Sequence, residues 1–431
     1  MSQIELIHKA FLSCDGVITD SRKCTANTMF FALKGERFDG NQYVKDVLAN
    51  GVAYAIADDK QLRGLDNVFL VEDVLQTLQD LALFHRRYLN LPIIAITGTN
   101  GKTTSKELVS AVLAEKYKVK ATSGNFNNHI GVPLTLLSMD KTIELGVVEM
   151  GANHIGEIGF LCSIAEPNFG LITNVGKAHL EGFGSFEGVK IAKGELYKYL
   201  LSNKGKVFIN SDNEHLKGMA EGVVLKTQYG TKSGKIVGHV VQNSPYVTAE
   251  WNMGKDTYKV QTNLIGEYNL ENILCAICIG NEFGVSPKAI NKALEAYQPT
   301  NNRSQFIESA KNKIIMDAYN ANPSSMQVAL ENFSNVESKN KVVILGGMKE
   351  LGVDSEVEHE KLLIHLQSTH FDKVILIGEE FKIMQIDNDQ FEVYDTSKQV
   401  GERLVKAPLK DAYILIKGSR SNQLEDLLDY L

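Results

Sequence analysis

The chain has 431 residues, of which 44% are hydrophobic and 23% charged, an ordinary composition for a soluble globular protein. Its formal charge is −7 and Lys and Arg form no block, so composition gives no electrostatic case for nucleic-acid binding. No apolar run approaches the ~20 residues that span a bilayer, so we expect no membrane insertion. The N-terminus lacks the apolar core of a signal peptide, and the odd number of cysteines, five, favours a reducing compartment. We therefore expect a cytoplasmic protein.

The first predicted domain covers residues 1–88. Short apolar runs alternate there with turn-forming residues, and the segment closes with a helical pattern over residues 74–88. This pattern predicts a small α/β domain.

The second predicted domain covers residues 89–300. A strand at residues 92–97 leads into a glycine-rich loop and then into a helical pattern at residues 105–116. Further strands are predicted at residues 145–149, 170–174 and 206–210. The alternation of strand and helix predicts a mostly parallel sheet. Short alternating strands at residues 237–264 predict an antiparallel addition at the edge of that sheet.

The third predicted domain covers residues 301–431 and follows a turn-rich linker at residues 297–302. Apolar strands are predicted at residues 313–317, 341–346, 373–378 and 413–417. Helical patterns separate most of them, and a last helix is predicted at residues 423–431. This order indicates a Rossmann-like, doubly wound unit. The fold class is therefore α/β with three domains.

Cys275 and Cys278 form a Cys-x-x-Cys pair inside an apolar helical stretch. No second Cys or His pair follows at the spacing of a zinc site. The pattern favours a buried helix face over a metal or redox centre.

The glycine-rich loop carries the strongest local signal for chemistry. Its glycines allow backbone N–H groups to close around phosphate oxygens, Lys102 can reach the outer phosphates, and the Thr103 hydroxyl can bind Mg²⁺. The spacing departs from the common P-loop, because only two residues separate Gly98 from Gly101. A helix cap is the alternative, but a strand before and a helix after favour phosphate binding. The predicted nucleotide-binding residues here are Gly98, Thr99, Asn100, Gly101, Lys102, Thr103 and Thr104.

Three further side chains are candidates for metal binding or catalysis. Glu149 ends an apolar strand, where a carboxylate either holds Mg²⁺ or simply faces solvent. His179 lies past another strand at the same sheet edge, although a lone histidine is more often structural. Lys193 lies in a lysine-rich helical pattern, and nothing local separates it from Lys190 or Lys198.

Two segments of the third domain also follow predicted strands. Asp317 begins the sequence Asp-Ala-Tyr-Asn-Ala-Asn-Pro, which can bind a ribose or an amine or can be an ordinary turn and helix cap. The sequence Lys417-Gly-Ser-Arg420 lies at a strand-to-helix junction. Arginine and backbone N–H groups at such a junction suit a carboxylate.

Together, these motifs resemble the Mur ligase family over essentially the whole chain. The loop with its preceding threonine, residues 97–104, is similar to the family's shortened phosphate loop. The segments that resemble the branch joining D-alanyl-D-alanine to UDP-N-acetylmuramoyl-tripeptide are residues 124–137, 149–157, 178–184 and 319–323. Residues 20–22 and 33–40 resemble the family's UDP-sugar-binding domain, which argues against the related folate polyglutamate ligases.

The resemblance implies ATP, two Mg²⁺ ions and an acyl-phosphate intermediate, and it assigns roles by position. It implies catalytic roles for Lys102, His179, Lys193 and Arg303. It implies Mg²⁺ binding by Thr103, Glu149, His179 and Lys193, with Lys193 carbamylated. It implies nucleotide contacts from Asn272, Arg303 and Asp317. It implies substrate contacts from Ser21, Arg22, Lys34, Asn125, Asn127, Asn128, Tyr319, Asn320, Asn322, Lys417 and Arg420.

One segment departs from the family pattern, because Gly347 and Lys349 stand where the family usually has an aspartate and a leucine-like residue. Two alternatives remain open from sequence: an amide ligase of the same family with another amine, and a nucleotide-binding partner subunit without activity. We expect a monomer with UDP-N-acetylmuramoyl-tripeptide and D-alanyl-D-alanine as substrates.

Overall fold

The computed structural model describes residues 1–300, 302–382 and 388–431. Three larger sheets with flanking helices, and one two-stranded hairpin, form three α/β domains along the chain. Residue 301 of the predicted linker lies outside the described residues. No helix in the described ranges combines the length and apolar character needed to cross a membrane.

The N-terminal domain contains a parallel four-stranded sheet with the strand order β1-β2-β5-β6 and a separate hairpin, β3-β4. Its strands are β1 Val17–Ile18, β2 Met29–Phe31, β3 Lys34–Gly35, β4 Phe38–Asp39, β5 Tyr54–Ala57 and β6 Val68–Leu70. Its α-helices are α1 Gln3–Phe11, α2 Val44–Ala49 and α3 Val74–Leu89, with 3-10 turns at Ser21–Lys23, Gly40–Tyr43 and Lys60–Leu62. The helix predicted at residues 74–88 is confirmed by α3.

The central domain contains a nine-stranded sheet with the order β15-β14-β13-β12-β11-β10-β7-β9-β8. Its strands are β7 Ile93–Thr97, β8 Val119–Ala121, β9 Leu145–Glu149, β10 Phe169–Ile172, β11 Lys206–Asn210, β12 Lys226–Gly230, β13 Ile236–Asn243, β14 Val247–Met253 and β15 Asp256–Gln261. The pairs from β8 to β13 are parallel, and β13 to β15 are antiparallel at one edge, which confirms both predictions.

Helices cover both faces of this sheet. They are α4 Lys102–Ala114, α5 Gly131–Leu137, α6 Glu157–Ala165, α7 Leu180–Phe183, α8 Phe186–Ser202, α9 Glu214–Met219, α10 Asn269–Glu282 and α11 Pro287–Ala296. Successive residues of β7 belong to different cores, with Ile93 and Ala95 on one face and Ile94 and Ile96 on the other. Burial on both faces explains why this strand is continuously apolar.

The C-terminal domain contains a six-stranded sheet with the order β16-β17-β21-β18-β19-β20, parallel except for the β16-β17 pair. Its strands are β16 Gln305–Glu308, β17 Asn312–Asp317, β18 Lys341–Gly346, β19 Lys373–Ile377, β20 Phe391–Tyr394 and β21 Ala412–Lys417. Its helices are α12 Pro323–Ser334, α13 Ser355–Ser368, α14 Glu379–Lys382 and α15 Ser397–Lys406, with 3-10 turns at Gly352–Asp354 and Arg420–Asn422.

The helix predicted at residues 423–431 is present, and it is a 3-10 helix, Leu424–Tyr430, rather than an α-helix. Leu424 and Leu427, three residues apart, are both fully buried. Side chains at that spacing eclipse one another in a 3-10 helix, so both leucines face the core.

The Cys275–Cys278 pair lies on α10, where both thiols are buried, as predicted. All five cysteines are free thiols. The side of α10 at Gly280 packs against Val112 of α4 so closely that an added Cβ would lie 2.3 Å from a Val112 methyl. Cys275 and Cys278 belong to the same apolar core as Val109 and Val112 of α4, so the pair serves packing.

Candidate active site

The site lies at the carboxyl edge of the central sheet. Strands β10, β7 and β9 are neighbours there, so the segments that follow them meet. A cavity of about 800 Å³ opens at this edge and extends to the C-terminal domain. The predicted residues that line it are Thr99, Asn100, Gly101, Lys102, Thr103, Thr104, Asn125, Asn127, Asn128, Glu149, His179, Asn272, Arg303, Asp317, Tyr319, Asn320, Asn322 and Lys417.

The loop of residues 98–104 is folded so tightly that two of its positions exclude side chains. Gly98 has a φ of +145°, and a Cβ there would lie 2.0 Å from the Thr173 hydroxyl oxygen. Gly101 has a φ of +75°, and a Cβ there would lie 2.6 Å from Oδ1 of Asn272. Glycine alone meets both requirements, and the helix α4 then begins at Lys102 with its N–H groups facing the cavity.

Lys102 curls back over the same loop. Its Nζ donates hydrogen bonds to the carbonyl oxygens of Gly98, at 2.8 Å, and Thr99, at 3.0 Å. Burial lowers the pKa of Lys102, Glu149 opposes that shift, and the positive charge of Arg303 adds to it. A charged ammonium at the mouth of a helix N-terminus suits the outer phosphates of a nucleotide.

Glu149 meets the requirements of a Mg²⁺ ligand. It is almost fully buried, and its Oε1 accepts a hydrogen bond from Asn127 at 2.9 Å. Its Oε2 has no hydrogen-bond partner among the described residues, and the nearest cation is the Lys106 ammonium at 3.9 Å. Burying an unpaired carboxylate oxygen is costly unless a cation compensates it. The Thr103 hydroxyl lines the same cavity, so the donors present fit Mg²⁺ with nucleotide phosphates and water.

The described ranges hold no cluster of three or more His, Cys, Asp or Glu side chains arranged around a metal site. Mg²⁺ bound together with a nucleotide commonly uses one or two carboxylates, with phosphates and water supplying the other ligands. Glu149 is the carboxylate placed for this arrangement.

His179 is held in place from the C-terminal domain. Its backbone has a φ of +51°, and its Nδ1 lies 2.5 Å from Oε2 of Glu350. The neighbouring His179 imidazole lowers the pKa of Glu350. Because Nδ1 faces this carboxylate, the Nε2 nitrogen is the one left for a metal or a phosphate.

Lys193 lies on α8, 2% exposed, behind the cavity wall rather than on it. Its Nζ donates a hydrogen bond of 3.3 Å to the carbonyl of Ala152, which does line the cavity. Burial, with the positive charge of Lys102, lowers the pKa of Lys193 to about 7. An amine with this pKa is partly neutral near pH 7, the form that reacts with electrophiles.

The C-terminal domain contributes its residues as paired groups. The buried Nζ of Lys417 donates a 2.5 Å hydrogen bond to Oδ2 of Asp317, and the Ser304 N–H donates a second hydrogen bond to Oδ1 of the same carboxylate. Asn322 caps α12 and donates a 2.8 Å hydrogen bond to Asn100 of the 98–104 loop. The Asn100–Asn322 contact joins the two domains directly across the cavity.

Arg303 and Tyr319 form a stacked pair at the same boundary. The guanidinium carbon of Arg303 lies 3.6 Å from the centroid of the Tyr319 ring, a cation–π geometry. The Nε of Arg303 is buried without a hydrogen-bond partner among the described residues. This donor is free for a ligand.

Several predicted residues lie away from the main cavity. Ser21, Arg22 and Lys34 belong to the N-terminal domain and do not line it. Arg22 pairs with Asp20 at 2.9 Å, and Lys34 pairs with Asp58 at 2.8 Å, so a ligand there competes with these contacts. Gly98 contributes its carbonyl to Lys102, and Arg420 lines a neighbouring recess instead.

Sequence reasoning missed two groups that hold the site together. Asn174 accepts a hydrogen bond of 2.9 Å from the backbone N–H of Asn100, and its position just past β10 could have indicated this role. Glu350 had no comparable signal, because its partner His179 is distant in sequence.

The departure from the family pattern has a structural counterpart. An added Cβ at Gly347 would lie 2.4 Å from Oε2 of Glu380, so the Glu380 carboxylate occupies the space that a side chain at 347 needs. Lys349 forms an ion pair with the same carboxylate. Gly347 and Lys349 therefore both accommodate the carboxylate of Glu380, which lies on α14 just after β19.

Family models match the chain in three segments. They are described as "Mur ligase family, catalytic domain" for residues 13–86, "Mur ligase middle domain" for residues 96–280 and "Mur ligase, glutamate ligase domain" for residues 302–420. The fold and the site define an ATP-dependent, amide-forming ligase, and the chain belongs to the Mur ligase family.

The particular relatives agree with one another. The chain is 34% identical to the UDP-N-acetylmuramoyl-tripeptide–D-alanyl-D-alanine ligase of Bacillus subtilis, covering 96% of this chain and 92% of the relative. It is 31% identical to the ligase of the same name from Haemophilus influenzae, and this match covers 99% of this chain and 95% of the relative. A crystal structure of MurF from Acinetobacter baumannii superposes with a TM-score of 0.87 at 29% identity, covering 99% and 97%. The structure of MurF from Thermotoga maritima in complex with ADP superposes with a TM-score of 0.86 at 28% sequence identity, and the match covers 97% of each chain.

Proposed function

We propose that this protein uses ATP to add D-alanyl-D-alanine to UDP-N-acetylmuramoyl-tripeptide, releasing ADP and phosphate, in cytoplasmic peptidoglycan precursor synthesis. The observation that carries the proposal is the 800 Å³ cavity, which joins a phosphate-binding loop to an unpaired buried carboxylate oxygen at one sheet edge. The full-length similarity to ligases of that name supports the choice of substrates.

The nucleotide occupies the loop of residues 98–104 in this proposal, with Asn272, Arg303 and Asp317 completing its site. Mg²⁺ is held by Thr103, Glu149 and His179, and two ions are expected from the family pattern. When bound, Mg²⁺ neutralises charge on the phosphates. Lys193 is proposed to carry a carbamate that supports this metal site from behind.

The reaction follows from the weakness of a carboxylate as an electrophile. An oxygen of the tripeptide's terminal carboxylate attacks the γ-phosphorus of ATP, ADP leaves, and an acyl phosphate forms. The amine of the dipeptide then attacks the carbonyl carbon, phosphate leaves, and the nitrogen loses a proton. Both steps concentrate negative charge beside Lys102, Arg303 and the N–H groups at the start of α4, which stabilise it.

The chain divides in this proposal into domains of residues 1–88, 89–300 and 301–431. The first binds the UDP-sugar through Ser21, Arg22 and Lys34. The second binds ATP, and the third contributes nucleotide contacts and receives the dipeptide. Substrate contacts are proposed for Asn125, Asn127, Asn128, Tyr319, Asn320, Asn322, Lys417 and Arg420. The protein acts as a monomer, and contacts such as Asn100–Asn322 keep water away from the acyl phosphate.

The test measures phosphate release from ATP with UDP-N-acetylmuramoyl-tripeptide, with and without D-alanyl-D-alanine. We expect turnover that requires both substrates and a product whose mass equals the tripeptide plus the dipeptide minus water. A panel of single amino acids, including D-glutamate, L-lysine and diaminopimelate, should not replace the dipeptide. Equal turnover with one of those amines assigns another ligase reaction, and ATP binding without turnover assigns a non-catalytic role.

A further inference from the structure

A second recess of about 300 Å³ lies beside the main cavity. The two spaces share four residues of their walls, Thr103, Asn125, Arg303 and Tyr319. The recess therefore opens directly onto the 98–104 loop, where the acyl phosphate forms in the proposed reaction. A space of this volume fits a small ligand.

Two arginines and one tyrosine give the recess a positive, planar wall. The guanidinium carbons of Arg303 and Arg420 lie 3.6 and 5.5 Å from the centroid of the Tyr319 ring. Stacking on an aromatic ring orients a guanidinium while leaving its in-plane N–H groups for a ligand. Arg420 is exposed, so these donors are accessible to a small anion such as a carboxylate.

The opposite charge in the recess comes from Glu425 on the final 3-10 helix. Its Oε2 is buried and has no hydrogen-bond partner among the described residues. Buried carboxylate oxygens are nearly always hydrogen-bonded, because leaving one bare costs the desolvation of a charged group. Because Glu425 also lines the recess, this unpaired acceptor points to a donor that a ligand brings.

We propose that Glu425 receives the ammonium group of the dipeptide acceptor, while Arg420 pairs with its carboxylate. The chemistry is complementary, because a free dipeptide is a zwitterion and the recess presents cations and one unpaired carboxylate. The shared wall at Thr103 and Asn125 places such a ligand beside the proposed nucleotide site. This inference rests on the proposed function and adds the residue that recognises the amine.

The principal test compares Glu425→Gln with Asp426→Asn, a neighbouring exposed acid on the same 3-10 helix. Glutamine keeps the shape of the side chain and removes the charge. Because a hydrogen bond to a charged group is stronger than a neutral one, the KM for D-alanyl-D-alanine should rise about tenfold or more in Glu425→Gln and stay unchanged in Asp426→Asn. The KM for ATP and the affinity for ADP should not change in either variant.

A second measurement isolates the amine itself. Propionyl-D-alanine keeps the backbone and carboxylate of the dipeptide but lacks the amino group. In the unsubstituted protein its Ki should exceed the KM of the dipeptide by about tenfold or more, and in Glu425→Gln the two constants should converge. The same ratio in both proteins would overturn the proposal.

Two further outcomes are distinguishable. If Glu425 only supports Arg303, the variant weakens ADP binding measured by calorimetry and leaves the analogue ratio unchanged, which also overturns the proposal. If the unsubstituted protein releases no phosphate in response to the dipeptide, the proposed function has failed independently of Glu425. Should Glu425→Gln not fold, Glu425→Asp retracts the same charge by one methylene, and a higher dipeptide KM with unchanged ADP affinity is the supporting result.

Discussion

Nδ1 of His179 lies 2.5 Å from Oε2 of Glu350, which joins a loop of the central domain to a loop of the C-terminal domain. The contact sets the imidazole orientation and leaves Nε2 for the metal site proposed above. Because the two residues belong to different domains, this orientation exists only while the domains are in contact.

The first prediction concerns this carboxylate. Glu350→Ala should raise the Mg²⁺ concentration for half-maximal phosphate release by about tenfold or more, since loss of such an outer contact typically costs 10–100-fold in metal affinity or activity. The control is Glu360→Ala, an exposed acid on α13. Affinity for metal-free ADP, measured by calorimetry, should not change. An unaltered Mg²⁺ dependence would mean that Glu350 does not act through His179.

The second prediction concerns Lys102, whose ammonium lies on the carbonyls of Gly98 and Thr99. Lys102→Ala should lower phosphate release by about 10²–10³-fold, by analogy with the loss of other groups that stabilise developing negative charge. The control is Lys118→Ala, which replaces an exposed lysine just before β8 and should leave phosphate release unchanged. Near-normal turnover by a folded Lys102→Ala protein would contradict the nucleotide assignment.

Sequence patterns predicted the sheet edge well. The strands before Gly98, Glu149 and His179 are apolar, and parallel strands put their carboxyl ends on one side, so those three residues had to approach one another. The antiparallel strands β13 to β15 followed from alternation of polar and apolar residues. Local patterns are sufficient in such cases because the connection fixes strand direction: a crossover helix returns the chain to a parallel strand, and a short turn gives an antiparallel one.

The contacts between domains could not be predicted in this way. Asn322 and Asn100 are 222 residues apart, and neither pattern indicates the other. The 3-10 geometry of Leu424–Tyr430 depends on how Leu424 and Leu427 pack, which a pattern of apolar residues does not distinguish from an α-helix. Tertiary packing determines both features.

The third prediction concerns the N-terminal domain. Arg22→Ala and Lys34→Ala should each lower the affinity for the UDP-sugar substrate about tenfold, the order expected from losing one charge-assisted hydrogen bond. The affinity for ATP should not change. Both cations are paired in this structure, with Asp20 and Asp58, so binding replaces one carboxylate partner by a phosphate. Calorimetry with each ligand separately makes the comparison. Equal losses for both ligands would mean that the domain has another role.

The fourth prediction concerns a buried histidine pair of the N-terminal domain that contacts the central domain. His8 Nε2 lies 3.0 Å from His85 Nδ1, and His85 Nε2 lies 2.8 Å from the carbonyl oxygen of Met139. Burial is the main cause that lowers the pKa of His8 to about 4, and it also lowers the pKa of His85. A neutral His85 donates from Nε2 to the Met139 carbonyl and accepts at Nδ1 from the Nε2–H of His8, and burial keeps His8 neutral as well.

The unfolded chain binds protons at these histidines near pH 6.5, and the folded protein does not. The stability that these neutral histidines contribute should therefore be complete above pH 6.5 and be lost as the pH falls below that value. For His8 alone, the free energy of unfolding should decrease by about 2 kcal/mol at pH 5. Urea denaturation at several pH values measures this slope. His8→Gln should flatten it, whereas His370→Gln, at an exposed position, should not. An identical slope in His8→Gln would exclude His8 as its origin.

The final prediction concerns Lys193, which burial distinguishes from its neighbours on α8. Lys193 is 2% exposed, whereas Lys198 is exposed and Lys190 pairs with Glu187. Its pKa of about 7 leaves a large neutral fraction at pH 7 and above. A neutral amine reacts with CO₂ to give a carbamate and a proton, and the product is an anion with two oxygen donors, which Mg²⁺ prefers.

A free ammonium beside Mg²⁺ would repel it, so the proposed carbamylation would convert Lys193 from a destabilising to a stabilising neighbour of the metal. Lys193→Ala should therefore have low activity that acetate or formate partly restores, because a small carboxylate can occupy the vacated space. Phosphate release with and without each acid measures this rescue, and Lys190→Ala and Lys198→Ala should keep full activity without it. Full activity in Lys193→Ala, or a loss confined to either control, would remove Lys193 from the mechanism, whereas low activity without rescue would leave burial and packing as its role.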